Sequence, residues 1–389
     1  MTEAQMQARI AEHNTRALEQ RDRFANRFLA RLEALHRAHR AAGRTGPIEF
    51  NVLMLSSGGQ YGAFGTGVLD GWSDSDSREF RRPTFDIVTG VSTGALIAPF
   101  AISGEGESLS RVAQLFKQAD DSFARIRGML FFLPWRTSIF DTRVLQARVQ
   151  SEIDADVVRR VAEAHHEQRM LLIGAVDLDL GRFHIWDMGA IAASATESDD
   201  YSLFHSALIS SAAIPGAFPP VEIDGVLYAD GAAALATFLG LDRELVNHVV
   251  ALFLARNPDA VTPQLRMWMI VNGHIDPPAR LAEQGWSSVA LRSAEVITSY
   301  SLRATLRQMQ LGAELLGRDL GRPVEFRYVA VPPSVELPES KSRLFDQRLM
   351  LELHALGYTL GSDPNAWRTE PIAPDILGSS IILRELVID

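Results

Sequence analysis

Three short segments carry the groups that acyl transfer needs: a nucleophile, a base and donors for an oxyanion. Gly90-Val91-Ser92-Thr93-Gly94 has the form of a nucleophile elbow, a sharp strand-to-helix turn that lifts a serine hydroxyl to the tip of a sheet. Asp230-Gly231-Ala232 places a carboxylate beside small, flexible neighbours. Ser57-Gly58-Gly59-Gln60-Tyr61-Gly62 lies ahead of both and offers backbone N–H groups, with Gly58, Gly59 and Gly62 as the candidate oxyanion donors.

A serine hydroxyl attacks poorly unless a base takes its proton as the new bond forms. Ser92 is the candidate nucleophile and Asp230 the candidate base. A free aspartate, with a pKa of about 3.9, is a feeble base in water, and burial beside a substrate would raise that value. Gly90 and Gly94 permit the tight turn and the close packing of strand against helix. The helix that follows Ser92 aims its N–H groups and positive dipole end at developing negative charge.

Each segment taken singly also reads as ordinary turn chemistry. The glycine turn would suit a phosphate as well as an oxyanion, although Ser57 breaks the dinucleotide pattern G-x-G-x-x-G and no Walker lysine follows. A Ser–acid–His order is a further alternative, with His248, His274 or His354 completing a triad after Asp230. The pairs His165-His166 and His36…His39 have too few partners for a metal site, and acyl transfer through Ser92 and Asp230 requires no metal or organic cofactor.

A sheet must hold these residues, and the pattern of apolar runs supplies one. Phe50 to Leu55, before the glycine turn, and Phe85 to Thr89, before the elbow, read as buried strands. Met170 to Asp177 and Arg182 to Trp186 read as a strand pair joined at Leu180-Gly181. Leu227 to Ala229, His248 to Leu254, Met267 to Asn272 and Phe326 to Val331 read as further strands. Gly62 to Trp72 and Thr93 to Ile102 suit helices, as do 109–118, 142–165, 204–213, 285–316 and 342–358. Strands alternating with helices indicate an α/β fold with a mainly parallel sheet covered on both faces.

Residues 2–42 read as one long amphipathic helix, with Ile10, Leu18, Phe24, Phe28, Leu32 and Leu35 on one face and Arg21, Arg23, Arg27, Arg31, Arg37 and Arg40 in its second half. Either it packs across the domain with a solvated basic face, or it offers that face to a membrane or partner. Met129-Leu130-Phe131-Phe132-Leu133-Pro134-Trp135 is the largest local apolar cluster. Exposed near the cleft it would dock to lipid through Phe131, Phe132 and Trp135; buried, it is core.

The chain has 389 residues, enough to bury a large core. Its 38 basic residues face 48 acidic ones, a net charge of −10, which argues against nucleic acid as the main partner. With no cysteine, disulfides and thiolate catalysis are excluded. Met1-Thr2-Glu3-Ala4-Gln5 leads into a charged stretch without a secretory signal, and no run approaches the roughly 20 apolar residues of a membrane span. The expected location is the cytoplasm, with or without peripheral contact to a membrane.

The three segments, in this order, resemble the patatin-like phospholipase family: a glycine-rich oxyanion turn, a G-x-S-x-G elbow and a D-G-[AG] motif. The intervening sequence is similar too. Gly62-Ala63-Phe64 with Gly67-Val68-Leu69 looks like the continuation of the turn, and Phe85 to Leu96 looks like the elbow. Ser210-Ser211-Ala212-Ala213-Ile214-Pro215-Gly216-Ala217-Phe218-Pro219-Pro220 looks like the approach to the aspartate, and Leu353, Gly357, Tyr358 and Gly361 resemble the last helix. The resemblance covers roughly residues 50–361 in patches.

The resemblance implies a three-layer α/β/α sandwich with a mostly parallel central sheet. It implies a Ser92–Asp230 dyad without a catalytic histidine, acting on acyl esters of phospholipids or other lipids. Ser57 stands where the family has the first of three glycines, and Tyr61 stands where it has an arginine that could hold a lipid phosphate. These departures bear on substrate preference. They also motivate the alternative of a weak or inactive relative that binds lipid or a protein partner. The expected organisation is a helical extension at 1–46, an acyl hydrolase domain at 47–362 and a tail at 363–389.

Overall fold

In the computed structural model, residues 3–75, 77, 80–104, 106–119, 125–126, 138, 140–276, 279, 281, 284–338 and 345–372 are described. The elements run α1 (Glu3–Ala41), β1 (Glu49–Leu55), α2 (Gly62–Ser73), β2 (Ile87–Val91), α3 (Thr93–Ser103), α4 (Gly106–Lys117), β3 (Arg125–Ile126), β4 (Phe140–Asp141), α5 (Arg143–Glu152), α6 (Ala155–His166), β5 (Met170–Asp177), β6 (Arg182–Asp187), α7 (Met188–Ser198), α8 (Ser202–Ser211), β7 (Val221–Ile223), β8 (Val226–Asp230), α9 (Arg243–Arg256), β9 (Gln264–Val271), α10 (Trp286–Leu320), β10 (Glu325–Ala330) and α11 (Gln347–Ser362).

Eight strands form one sheet in the order β10-β9-β1-β2-β5-β8-β7, with β6 also paired to β5. The pairs β10–β9, β9–β1, β1–β2 and β2–β5 are parallel; β5–β6, β5–β8 and β7–β8 are antiparallel. β1 and β5 are buried along nearly their whole length, as strands covered on both faces must be.

Side chains alternate between the two faces. Leu53, Leu55, Val88, Leu171, Ile173 and Ile270 pack with α2, α3, α4, α6, α7, α8 and α11. Phe50, Val52, Met54, Ile87, Leu172 and Met269 pack with α1, α9 and α10. The result is a three-layer α/β/α sandwich with a mostly parallel sheet. Each fully buried Leu, Phe or Val side chain contributes about 1.5–3 kcal/mol.

α1 is part of this body. Phe24, Phe28, Leu29 and Leu32 are buried in the sheet's second core. Arg31 Nε donates to Asp86 Oδ1 at 2.7 Å, and the other Asp86 oxygen accepts the Asn51 amide at 2.7 Å. Burial pushes the Asp86 carboxyl up, and Arg31 opposes that shift. Arg21 pairs with Asp242, Arg40 with Asp259, and Arg27 donates to the His165 carbonyl. Much of the basic side of α1 is thus bonded to the protein itself.

Two sequence expectations differ from the structure, and one helix was not expected at all. His248 to Leu254, expected as a strand, belongs to helix α9. Its apolar run has helical spacing, with Leu245, Val246, Val249, Val250 and Phe253 buried, and Asp242 caps it by accepting the Leu245 amide at 2.7 Å. The single helix expected over 142–165 is two, because Asp154 breaks the run and caps α6 through the Asp156 and Val157 amides. α7, rich in small residues and capped by Asp187, was not legible as a separate helix.

Candidate active site

The site forms where one strand edge changes partner. β6 covers one edge of β5 from Leu172 to Asp177. The opposite edge is shared. β2 covers it in parallel up to Val91, opposite Gly174; β8 covers it antiparallel down to Asp230, opposite Ala175. The two strands therefore end facing each other on neighbouring residues of β5. Ser92 follows Val91 directly, and its Oγ donates to Asp230 Oδ2 at 2.6 Å.

Ser92 has φ 56° and ψ −122° at the N-cap of α3. Four non-glycine residues among those described have positive φ, and Ser92 alone of them is buried. That conformation is strained for an L-residue and persists only where the surroundings hold it. Gly90 and Gly94 make it sterically feasible. A Cβ at Gly90 would meet the Gly94 carbonyl, and one at Gly94 would meet the carbonyls of Leu55 and Ser56. The Ser92 amide donates to Ser211 Oγ at 2.9 Å, and Ser211 Oγ donates to the Gly174 carbonyl at 2.6 Å.

Asp230 is 3% exposed. Burial pushes its carboxyl up to about 6, and hydrogen bonds from Ser92 Oγ and the Ala232 amide pull the other way. The Ala232 amide reaches Asp230 Oδ1 at 2.8 Å, leaving Oδ2 for the serine. The Asp230 amide donates to the Ala213 carbonyl at 2.9 Å.

The glycine turn follows β1 and becomes a single 3-10 turn at Gly59–Tyr61 before α2. The Ser57 amide is committed to Ala236 O, and the Tyr61 amide to Gly58 O. The Gly58 and Gly59 amides donate to no backbone carbonyl of the described residues. The Gly62 amide differs from the expectation of a third donor: it is turned back on the Gly59 and Gln60 carbonyls. Gly62 is instead a point of close approach, since a Cβ there would overlap Thr93 Oγ1 and the Phe116 ring.

Asn272, at the end of β9, holds the turn from below and was missed in the sequence. Its amide donates to Ser56 Oγ at 2.8 Å and its Nδ2 to Ser56 O at 2.6 Å. A Cβ at Gly58 would overlap the Asn272 carbonyl oxygen. Ser211 was quoted only within a longer similar stretch. Neither residue had a spacing that marked it for chemistry.

The three late histidines lie elsewhere in the hydrogen-bond network. His248 is exposed on α9. His354 Nε2 is 3.0 Å from Asp70 Oδ2 between α11 and α2. The His274 ring lies 5.8 Å from the Tyr61 ring, and burial lowers its pKa. Phe131, Phe132 and Trp135 lie outside the described residues. No helix among the described residues is long and apolar enough to cross a membrane. Nor does any group of three or more His, Asp or Glu side chains among them have an arrangement that could hold a metal ion.

No curated protein matches the sequence. Among solved structures, the crystal structure of VipD from Legionella pneumophila is similar over 81% of this chain, with 12% identity and a TM-score of 0.36. The alignment spans 66% of the VipD chain. Residues 53–240 match the family model of patatin-like phospholipases, a segment that runs from β1 past Asp230, while the sheet continues beyond it with β9 and β10. That segment, a little under half of the chain, is where its similarity to the patatin-like phospholipase family lies.

Proposed function

We propose that the protein is a serine acyl hydrolase of lipid esters, with Ser92 as nucleophile and Asp230 as base. Ser92 Oγ attacks the ester carbonyl carbon while Asp230 Oδ2 takes its proton. The carbonyl oxygen gains negative charge and is stabilised by the Gly58 and Gly59 amides and by the N-terminus of α3. The tetrahedral species collapses: the alcohol leaves with the proton from Asp230, and an acyl-Ser92 ester remains. Water then attacks that ester, giving its proton to Asp230, and the fatty acid departs as the serine is reprotonated.

The observation that carries this reading is the 2.6 Å bond from Ser92 Oγ to a buried carboxylate whose pKa is lifted to about 6. A base of that strength is ionised at neutral pH yet accepts a proton more readily than a free aspartate. A small crevice lined mainly by Leu96, Leu145, Val149, Ile209, Ala213 and Phe218, with the neutral Thr142 and Gln146, borders the site; it has room for about one water and presents no charge. Its neighbours are direct partners of the dyad, since the Leu96 amide donates to Ser92 O and Ala213 O accepts the Asp230 amide.

The test is hydrolysis of short and long p-nitrophenyl esters and of mixed phospholipid vesicles by wild type, Ser92→Ala and Asp230→Asn. Turnover in wild type that both folded variants lose supports the reading. A wild type inert on every ester would move the lipid- or protein-binding alternative, motivated by Ser57 and Tyr61, to the front.

A further inference from the structure

The break in the sheet leaves a gap that backbone pairing does not close. β2 stops at Val91, opposite Gly174, and β8 stops at Asp230, opposite Ala175. At this junction the Ser92 amide and the Gly174 carbonyl are both joined through one hydroxyl. Ser211 Oγ accepts from the Ser92 amide at 2.9 Å and donates to the Gly174 carbonyl at 2.6 Å. Ser211 is fully buried, so water does not offer a replacement partner readily. Two residues on, the Ala213 carbonyl accepts the Asp230 amide at 2.9 Å. One short segment at the end of α8 thus holds the backbones of both Ser92 and Asp230.

We infer that Ser211 is a positioning residue for the acyl-transfer reaction: its hydroxyl splices the β2–β8 junction and holds Ser92 in the strained, positive-φ conformation that aims Oγ at Asp230. This rests on the acyl-hydrolase reading above and adds to it a residue that touches neither substrate nor the reacting atoms. The physical case is the backbone of Ser92. A positive φ in a buried non-glycine residue needs external support, and the amide of that residue has Ser211 as its partner. Without the hydroxyl, the amide and the Gly174 carbonyl lose their bonds, and the elbow can relax toward an unstrained conformation that turns Oγ away from the carboxylate. A displacement of about 1 Å at a reacting atom can cost about 100-fold in rate.

The test compares wild type, Ser211→Ala, Ser211→Thr and Ser211→Cys on one soluble ester, with each rate divided by the sites that a fluorophosphonate titrates. Counting titrated sites removes loss by misfolding from the comparison. For Ser211→Ala, per-site kcat is expected to fall about 10- to 100-fold with KM nearly unchanged. The acid limb of its pH profile is expected to move to higher pH, because a misaimed Ser92 no longer donates to the Asp230 carboxylate. Ser211→Thr keeps the hydroxyl and should recover most of the rate. Ser211→Cys, a longer and weaker partner of similar shape, should fall between the two and serves if the alanine variant does not fold. A purely structural role would lower the number of titrated sites but leave per-site kcat and the acid limb in place, and that result overturns the inference. If wild type itself turns over no ester, the acyl-hydrolase reading fails first and this inference falls with it; an active wild type with an unaffected Ser211→Ala sinks the inference alone.

Discussion

Ser92 and Asp230 stand 138 residues apart in the chain and meet because the strands that carry them end on adjacent residues of β5. β2 delivers Ser92 from one side and β8 delivers Asp230 from the other. The sheet itself, more than any loop, sets their 2.6 Å separation. Sites held on strand ends are more precise than sites held on loops, which suits a proton transfer that tolerates little misplacement.

The raised pKa of Asp230 ties activity to pH. Turnover needs the ionised carboxylate, so kcat/KM on a soluble ester is expected to rise through a pH of about 6 and level off above it. A pH–rate profile checks this. A profile flat from pH 5 to 8 would argue against Asp230 as the base.

The same shift has a stability sign. The folded state holds the Asp230 proton more tightly than the unfolded state does, so this contribution is full below a pH of about 4 and is lost as pH rises through about 6. Asn at this position cannot ionise. Relative to wild type, Asp230→Asn should therefore gain stability between pH 4 and pH 8, by up to about 3 kcal/mol. Urea unfolding of both proteins at the two pH values measures the difference.

The glycine turn separates space from backbone freedom. At Gly58 a Cβ would overlap the Asn272 carbonyl, so Gly58→Ala should displace the turn, lower stability by about 1–3 kcal/mol and reduce kcat. At Gly59 a Cβ has open space but φ is +55°, so Gly59→Ala should cost about 1–2 kcal/mol with the amide still in place. Thermal unfolding alongside ester kinetics distinguishes the two.

Arg31 anchors α1 to the sheet through Asp86, which is 2% exposed. Removing the cation leaves a buried carboxylate unpaired, so Arg31→Ala should destabilise by about 3–5 kcal/mol. Ester turnover per folded molecule should be unchanged, because Asp86 precedes β2 at the end remote from Ser92.

Single replacement of His248, His274 or His354 by Ala should leave ester turnover within a few-fold of wild type. His354→Ala should still lose some stability, since it gives up the contact with Asp70. Loss of turnover in any one of the three, with the fold intact, would revive a Ser–acid–His triad.

Much of this was legible locally. The strand–turn–helix context of Ser92, the glycine turn after β1 and the strand that ends at Asp230 are all set by neighbours in sequence. The junction that brings Ser92 and Asp230 together was not. It depends on where β2 and β8 stop along β5, at Gly174 and Ala175, residues whose small side chains advertise no chemistry. Ser211 and Asn272 escaped for a related reason: their value lies in backbone groups they reach across the sheet, which no spacing reveals. The misread stretch at His248 to Leu254 shows the other failure, where a short apolar run looks like a buried strand until its capped, helical period is followed over four turns.

The central claim is that Ser92 is an activated nucleophile. Treating the intact protein with a fluorophosphonate and mapping the modified peptide tests it most directly. Wild type is expected to carry a single label on Ser92, absent in Ser92→Ala and much slower to form in Asp230→Asn. A folded wild type whose Ser92 stays unlabelled, or an Asp230→Asn variant labelled as fast as wild type, would contradict it.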